Sequence, residues 1–100
     1  MVLTTVRSAP GRRLGRYLEP ALWVLIALDR DPLDLTGTLD AVRSLDGPIG
    51  HGTLIGTISR LERLRLVEFV VTDSRRTMYR LTTLGRVAAG SASILKGRPA

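Results

Sequence analysis

The chain has no cysteine and only one histidine, His51, and these two scarcities remove whole classes of chemistry. Without thiols there is no disulfide framework and no thiolate metal site, and one imidazole with no carboxylate pair nearby makes a poor metal ligand set. No serine, histidine and acid fall into a triad pattern, and no glycine-rich loop ends in Gly-Lys-Ser/Thr; Gly50-His51-Gly52 is too short and follows no strand. The sequence therefore reads as a non-enzyme, with no catalytic residue, no metal and no cofactor expected. Long hydrophobic runs are also missing. The longest, Ala21 to Leu28, is far shorter than the roughly 20 residues a bilayer span requires. Arg7, Arg12, Arg13 and Arg16 lead into Glu19-Pro20, and no small-residue cleavage pattern follows the apolar run, so no signal peptide is expected. The expectation is a cytoplasmic protein with no membrane partner.

What is present is positive charge. One hundred residues make one domain, and its formal net charge is +6. That balance favours polyanionic partners, nucleic acid first. Lys96 is the only lysine, so nearly all of the charge is guanidinium, which forks onto phosphate or a guanine edge. A GC-rich genome gives the same arginine preference, but it does not account for the net charge. The charge is also uneven. Asp29, Asp31, Asp34, Asp40 and Asp46 outweigh Arg30 and Arg43 in the middle, leaving the excess at the N-terminus and in the second half.

Residues 1–16 show no period and break at Pro10-Gly11; they read as a basic arm, either a solvated tail or a strand of charge laid on phosphates. The folded part is expected over 17–97. A first helix starts near Tyr17 to Pro20 and runs to about Asp29, apolar most of the way round, so that a partner subunit is one way to cover its second side. Asp31-Pro32 breaks the chain, Asp34 caps a helix from Leu35 to about Leu45, and Gly47-Pro48 stops it. A third helix spans about 51–64, with Leu54, Ile58 and Leu61 on one face and Gly52, Gly56, Ser59 and Arg63 opposite, Arg60 beside them. Leu66 to Thr72 and Thr77 to Leu81 are strands joined by Asp73-Ser74-Arg75-Arg76. Thr82 caps a last helix to about Lys96, ended by Gly97 and Pro99. Phe69 and Tyr79 are expected in the core, and Trp23 in the core or an interface.

A helix, a hairpin with a basic tip and a further helix form the second half of a winged helix-turn-helix. The expected fold is mostly α with a small β-hairpin: a three-helix core, a wing, and a C-terminal helix for dimerisation. The ordered set Gly52-Thr53-Leu54, Arg60-Leu61-Glu62, Leu66-Val67, Arg76, Tyr79, Leu81-Thr82 and Gly85 resembles the PadR family of winged-helix transcriptional regulators, in its compact branch with a short final helix. The resemblance covers about the second half of the chain. It implies a dimeric, repressor-type protein whose third helix enters the major groove, whose wing lies on the backbone, and whose terminal helices dimerise. This chain departs from the family pattern at Ile55, where a tyrosine is usual, at Gly56, often proline, and at Arg65, usually glycine.

The expected DNA-binding residues are His51, Gly52, Thr53, Ile55, Gly56, Ser59, Arg60 and Arg63 on the third helix, with Arg75 and Arg76 on the wing. Arginines at the wing neutralise phosphates, and the helix supplies register and base readout. The plainer alternatives are a solvated helix face and an ordinary solubilising turn. The expected dimer interface is Leu18, Leu22, Trp23 and Ile26 with Leu84, Val87, Ala88, Ser91 and Leu95, where Ala89, Gly90 and Ala92 would let another helix come close. The partners expected are double-stranded DNA at a palindromic site, a second copy of the chain, and a small apolar or aromatic effector at the interface. A winged helix serving only as a protein-interaction module is the competing reading.

Overall fold

The computed structural model describes residues 14–45, 47 and 49–97. The break at Pro10-Gly11, the arginines Arg7, Arg12 and Arg13 of the arm, and the stops at Pro48 and Pro99 lie outside the described residues. A 3₁₀ turn, Gly15–Tyr17, leads directly into α1, Leu18–Leu28. α2 is Leu35–Ser44, α3 His51–Arg63, β1 Val67–Val71, β2 Thr77–Leu81 and α4 Thr83–Leu95.

The caps anticipated from the sequence set these bounds. Asp34 is extended and its Oδ1 accepts the Gly37 amide at 2.7 Å, while its carbonyl accepts the Thr38 hydroxyl at 2.7 Å. A Cβ on Gly37 would stand 2.9 Å from that Oδ1, so the glycine inside α2 serves the cap. Thr82 accepts the Gly85 amide at 3.0 Å and donates to the Arg65 carbonyl at 2.6 Å, tying α4 to the end of α3. That end is a Schellman motif: Arg65 N–H donates to Glu62 O and Leu66 N–H to Leu61 O, both at 3.0 Å, over the buried pair Leu61 and Leu66. Arg65 has φ 62°, the left-handed backbone that glycine fills most cheaply.

β1 and β2 pair antiparallel, with Val67 opposite Leu81, Phe69 opposite Tyr79 and Val71 opposite Thr77. Leu33 adds a one-residue rung on the other edge of β2, exchanging hydrogen bonds with Tyr79 at 3.0 and 2.7 Å. Sequence periodicity missed this rung because a single residue between Pro32 and a cap has no period. At the base of the hairpin Val67 and Leu81 are buried, but Phe69, expected in the core, is 56% exposed. The hairpin projects past the body, so alternate residues beyond its base have nothing to pack on. Tyr79 is half-buried against the core, as expected.

α1 lies at the centre, packed on α2, α3, α4 and β2. Ala21, Val24, Leu25 and Leu28 meet Val42, Leu54, Ile58, Leu61, Ala89 and Ala92 in one cluster. Its nearly all-round apolarity is therefore largely used within its own chain, and a partner is not needed to explain it. Trp23 packs on Gly47, where a Cβ would stand 2.9 Å from the ring, and the Lys96 ammonium lies 4.9 Å from its centroid while pairing with Glu19. On α4 the small residues Gly85, Ala89, Ala92 and Ser93 are the buried side. The helix that Ala89 and Ala92 allow to come close is this chain's own α1.

Candidate nucleic-acid interface

α3 turns Leu54, Thr57, Ile58 and Leu61 inward, and the buried Thr57 hydroxyl is satisfied by the Thr53 carbonyl at 2.7 Å. His51, Gly52, Thr53, Ile55 and Arg63 are exposed, and Ser59 is half-buried. The helix starts from Gly50 with no acid in its first turn, and among the described residues no side chain caps its leading amides.

Gly56 and Arg60 have a different setting. Leu14, 5% exposed, anchors the N-terminal turn, and Gly15 bends it with φ +54°, so that Tyr17 lies over the middle of α3. A Cβ on Gly56 would come within 3.0 Å of the Tyr17 ring. The Arg60 guanidinium stacks 3.9 Å from the ring centroid and donates to the Gly56 carbonyl at 3.2 Å. Arg16 is 5.3 Å from the same centroid and reaches the Tyr17 hydroxyl at 3.5 Å. The two arginines hold the phenol below its ordinary pKa, Arg16 by its hydrogen bond and Arg60 by its charge. Arg60 is thus not the free helix-face arginine that the sequence suggested. Leu14 and Tyr17 were missed as members of this surface, because no local pattern ties a residue before the first helix to the third.

At the wing, Arg75 N–H donates to Thr72 O at 2.8 Å and Thr72 N–H to Arg76 O at 2.9 Å, closing the hairpin around Asp73, Ser74 and Arg75. Thr72 Oγ1 also accepts the Arg76 amide at 3.2 Å. Arg75 has φ 61°, the left-handed position that closes such a loop and usually goes to glycine. It has no carboxylate partner among the described residues. Arg76 does: its guanidinium is 3.8 Å from Asp34 Oδ2. Arg80 is neutralised across the ladder by Glu68 at 2.6 Å.

The residues expected at a dimer interface fall into two groups. Leu84, Val87, Ser91 and Leu95 are exposed on the side of α4 opposite its buried face, and Ile94, 75% exposed, joins them. Ala88 is half-buried, as are Leu22, Trp23 and Ile26 of α1, while Leu18 is exposed. Among the described residues no cluster of three or more His, Cys, Asp or Glu could hold a metal, and no helix is long and apolar enough to cross a membrane.

A three-helix core, a helix turned outward beside a projecting hairpin, and a helix returning across the core together define a winged helix-turn-helix. Among solved structures the fold is similar to MepR of Staphylococcus aureus, a transcription regulator of the multidrug efflux pump MepA, at TM-score 0.58 and 20% identity over 95% of this chain and 70% of that one. It is also similar to apo MarR of E. coli at TM-score 0.60 and 21% identity, over 96% and 74% of the two chains. BpsR of Bordetella bronchiseptica, whose DNA binding is regulated by 6-hydroxynicotinic acid, matches at TM-score 0.60 and 17% identity, over 97% and 80%. No family model and no curated protein sequence matches the chain. These likenesses overturn the PadR resemblance: the matching structures are MarR- and MepR-type winged helices. The physical reason lies in what the motif residues do here. Leu66-Val67, Thr82 and Gly85 terminate, cap and pack helices, so they mark the architecture and do not single out one family.

Proposed function

We propose that this chain is a transcriptional regulator that binds double-stranded DNA as a homodimer, with α3 in the major groove and the wing, residues 72–77, on the sugar-phosphate backbone. The observation that carries this reading is Arg75. An arginine without a carboxylate partner among the described residues occupies a left-handed backbone position at the tip of a projecting hairpin. Folding alone favours glycine or asparagine there, so the side chain is retained at a conformational cost, and a phosphate contact explains the cost. Arg75 and Arg76 supply affinity through counterion release. Ser59 and Arg63 reach base edges, and the leading amides of His51, Gly52 and Thr53 hold a phosphate.

A solved complex of MepR with DNA, whose fold matches this one at TM-score 0.56 and 20% identity, supports the same use of the fold. The outward apolar stripe of α4, Leu84, Val87, Ile94 and Leu95, supports self-association, with Ser91 also exposed on α4 and Leu18 exposed at the start of α1. A twofold dimer reads a palindrome, with its α3 helices roughly 34 Å apart, one turn of DNA. Repression then requires nothing beyond occupancy of the site. The regulation of BpsR by 6-hydroxynicotinic acid supports adding an aromatic effector, which we place at the interface beside Trp23; quenching of Trp23 fluorescence coupled to release of DNA tests that addition.

Selection of bound sequences from random DNA tests the function. The expected result is an inverted-repeat consensus, bound more weakly when Arg75 and Arg76 both become alanine. A stable complex with another protein, alongside no retardation of any duplex at low salt, would instead establish an interaction module.

A further inference from the structure

We infer that Tyr17 is a positioning residue of the DNA-contacting surface: its ring lays the Arg60 guanidinium along the flank of α3 and, with Arg16, makes a two-arginine clamp for a backbone phosphate. The inference rests on the DNA-binding reading above and adds a contact that the helix and wing alone do not contain.

Four observations carry it. Gly56 leaves the middle of α3 bare, and the Tyr17 ring fills that space at contact distance. Arg60 is held twice, by the ring at 3.9 Å and by the Gly56 carbonyl at 3.2 Å, so its plane is fixed while part of its fork of donors stays open. The turn that delivers Tyr17 is built into the fold, anchored by the buried Leu14 and bent at Gly15. Neither Arg16 nor Arg60 has a carboxylate partner among the described residues, although both lie against one ring. Guanidiniums gathered this way repel each other until an anion arrives, and the lowered pKa of the phenol reports the same local positive potential. A shallow groove lined by Arg16, Tyr17 and Thr53 opens beside the exposed first turn of α3, where a phosphate already has a reason to sit.

The arrangement also divides the labour on α3. With Gly56 covered and Arg60 turned to the flank, base reading is confined to the strip bearing Gly52, Ile55, Ser59 and Arg63. Specificity and the phosphate clamp become separable by mutation.

The test compares Tyr17→Phe, which keeps the ring, with Tyr17→Leu, which keeps apolar cover but has no π-face. Both are titrated against a selected duplex and a random duplex over a range of salt, after their melting temperatures are matched to wild type. Tyr17→Phe is expected to bind as wild type. Tyr17→Leu is expected to bind both duplexes about fivefold more weakly at low salt, the equivalent of one exposed cation–π contact. Its salt dependence should be shallower by roughly 0.9, one phosphate. Arg60→Ala should cost little more once Tyr17→Leu is present. Equal affinity and slope for the leucine and phenylalanine variants, with wild type binding DNA normally, overturns this inference alone. A wild type that binds no duplex at low salt overturns the DNA-binding reading and this inference with it.

Discussion

Gly85 lies against the Leu66 carbonyl so closely that a Cβ would stand 1.9 Å from its oxygen. That oxygen also accepts the Thr82 amide at 3.0 Å, so it marks the crossing of the α3 terminus, the base of the wing and the start of α4. Gly85→Ala is expected to destabilise the fold by about 3 kcal/mol, because backbone must move. Gly90→Ala, where nothing lies within 4 Å, should stabilise α4 by about 0.5–1 kcal/mol. Urea denaturation of the two variants checks both signs.

Arg65 ends α3 in left-handed backbone with its Schellman hydrogen bonds intact. Arg65→Gly removes the side-chain conflict and is expected to raise stability by about 1 kcal/mol, seen as a higher melting temperature. The Thr82 hydroxyl bonds the carbonyl of residue 65, which the substitution keeps.

Asp34 serves two structures at once, with one oxygen capping α2 and the other 3.8 Å from Arg76. Asp34→Asn keeps a cap and discharges the partner of Arg76. The melting temperature should hold, and DNA affinity should rise about twofold as Arg76 is released to a phosphate. Asp34→Ala should instead cost about 1 kcal/mol of stability through the lost cap. Parallel melts and binding isotherms separate the two roles.

The Tyr17 phenol ionises below its ordinary pKa because Arg16 and Arg60 favour the phenolate. The native state therefore releases this proton at lower pH than the unfolded chain does. The resulting stabilisation is absent below the lowered native value, appears as pH rises through it, and is complete above the unfolded value. Arg16→Ala, which also removes the hydrogen bond, should return the titration towards normal more than Arg60→Ala does. Near-ultraviolet absorbance against pH follows it. A phenolate at a phosphate contact also predicts that DNA affinity falls in the same alkaline window.

The parts of the fold legible in the sequence were those written locally. Asp34 and Thr82 announce their helices as side-chain caps, alternation announces the strands, and the spacing of Leu54, Ile58 and Leu61 announces the inward face of α3. What could not be read depends on distant residues meeting. The Leu33 rung needs Tyr79 beside it, and the exposure of Phe69 depends on where the body ends. The setting of Arg60 depends on Tyr17, 43 positions earlier in the chain, crossing α3. The family resemblance misled for a related reason: its motif is made of residues that any winged helix needs for capping and packing.

The account stands on α3 and the wing meeting one duplex. Backbone amide shifts of the labelled full chain, followed by nuclear magnetic resonance during titration with its selected duplex, test this most directly. The prediction is that residues 51–63 on the outward side of α3 and residues 72–76 of the wing shift together, at the same DNA concentration, while the buried face of α4 does not. Shifts confined to the α4 stripe, or to only one of the two expected surfaces, would contradict it.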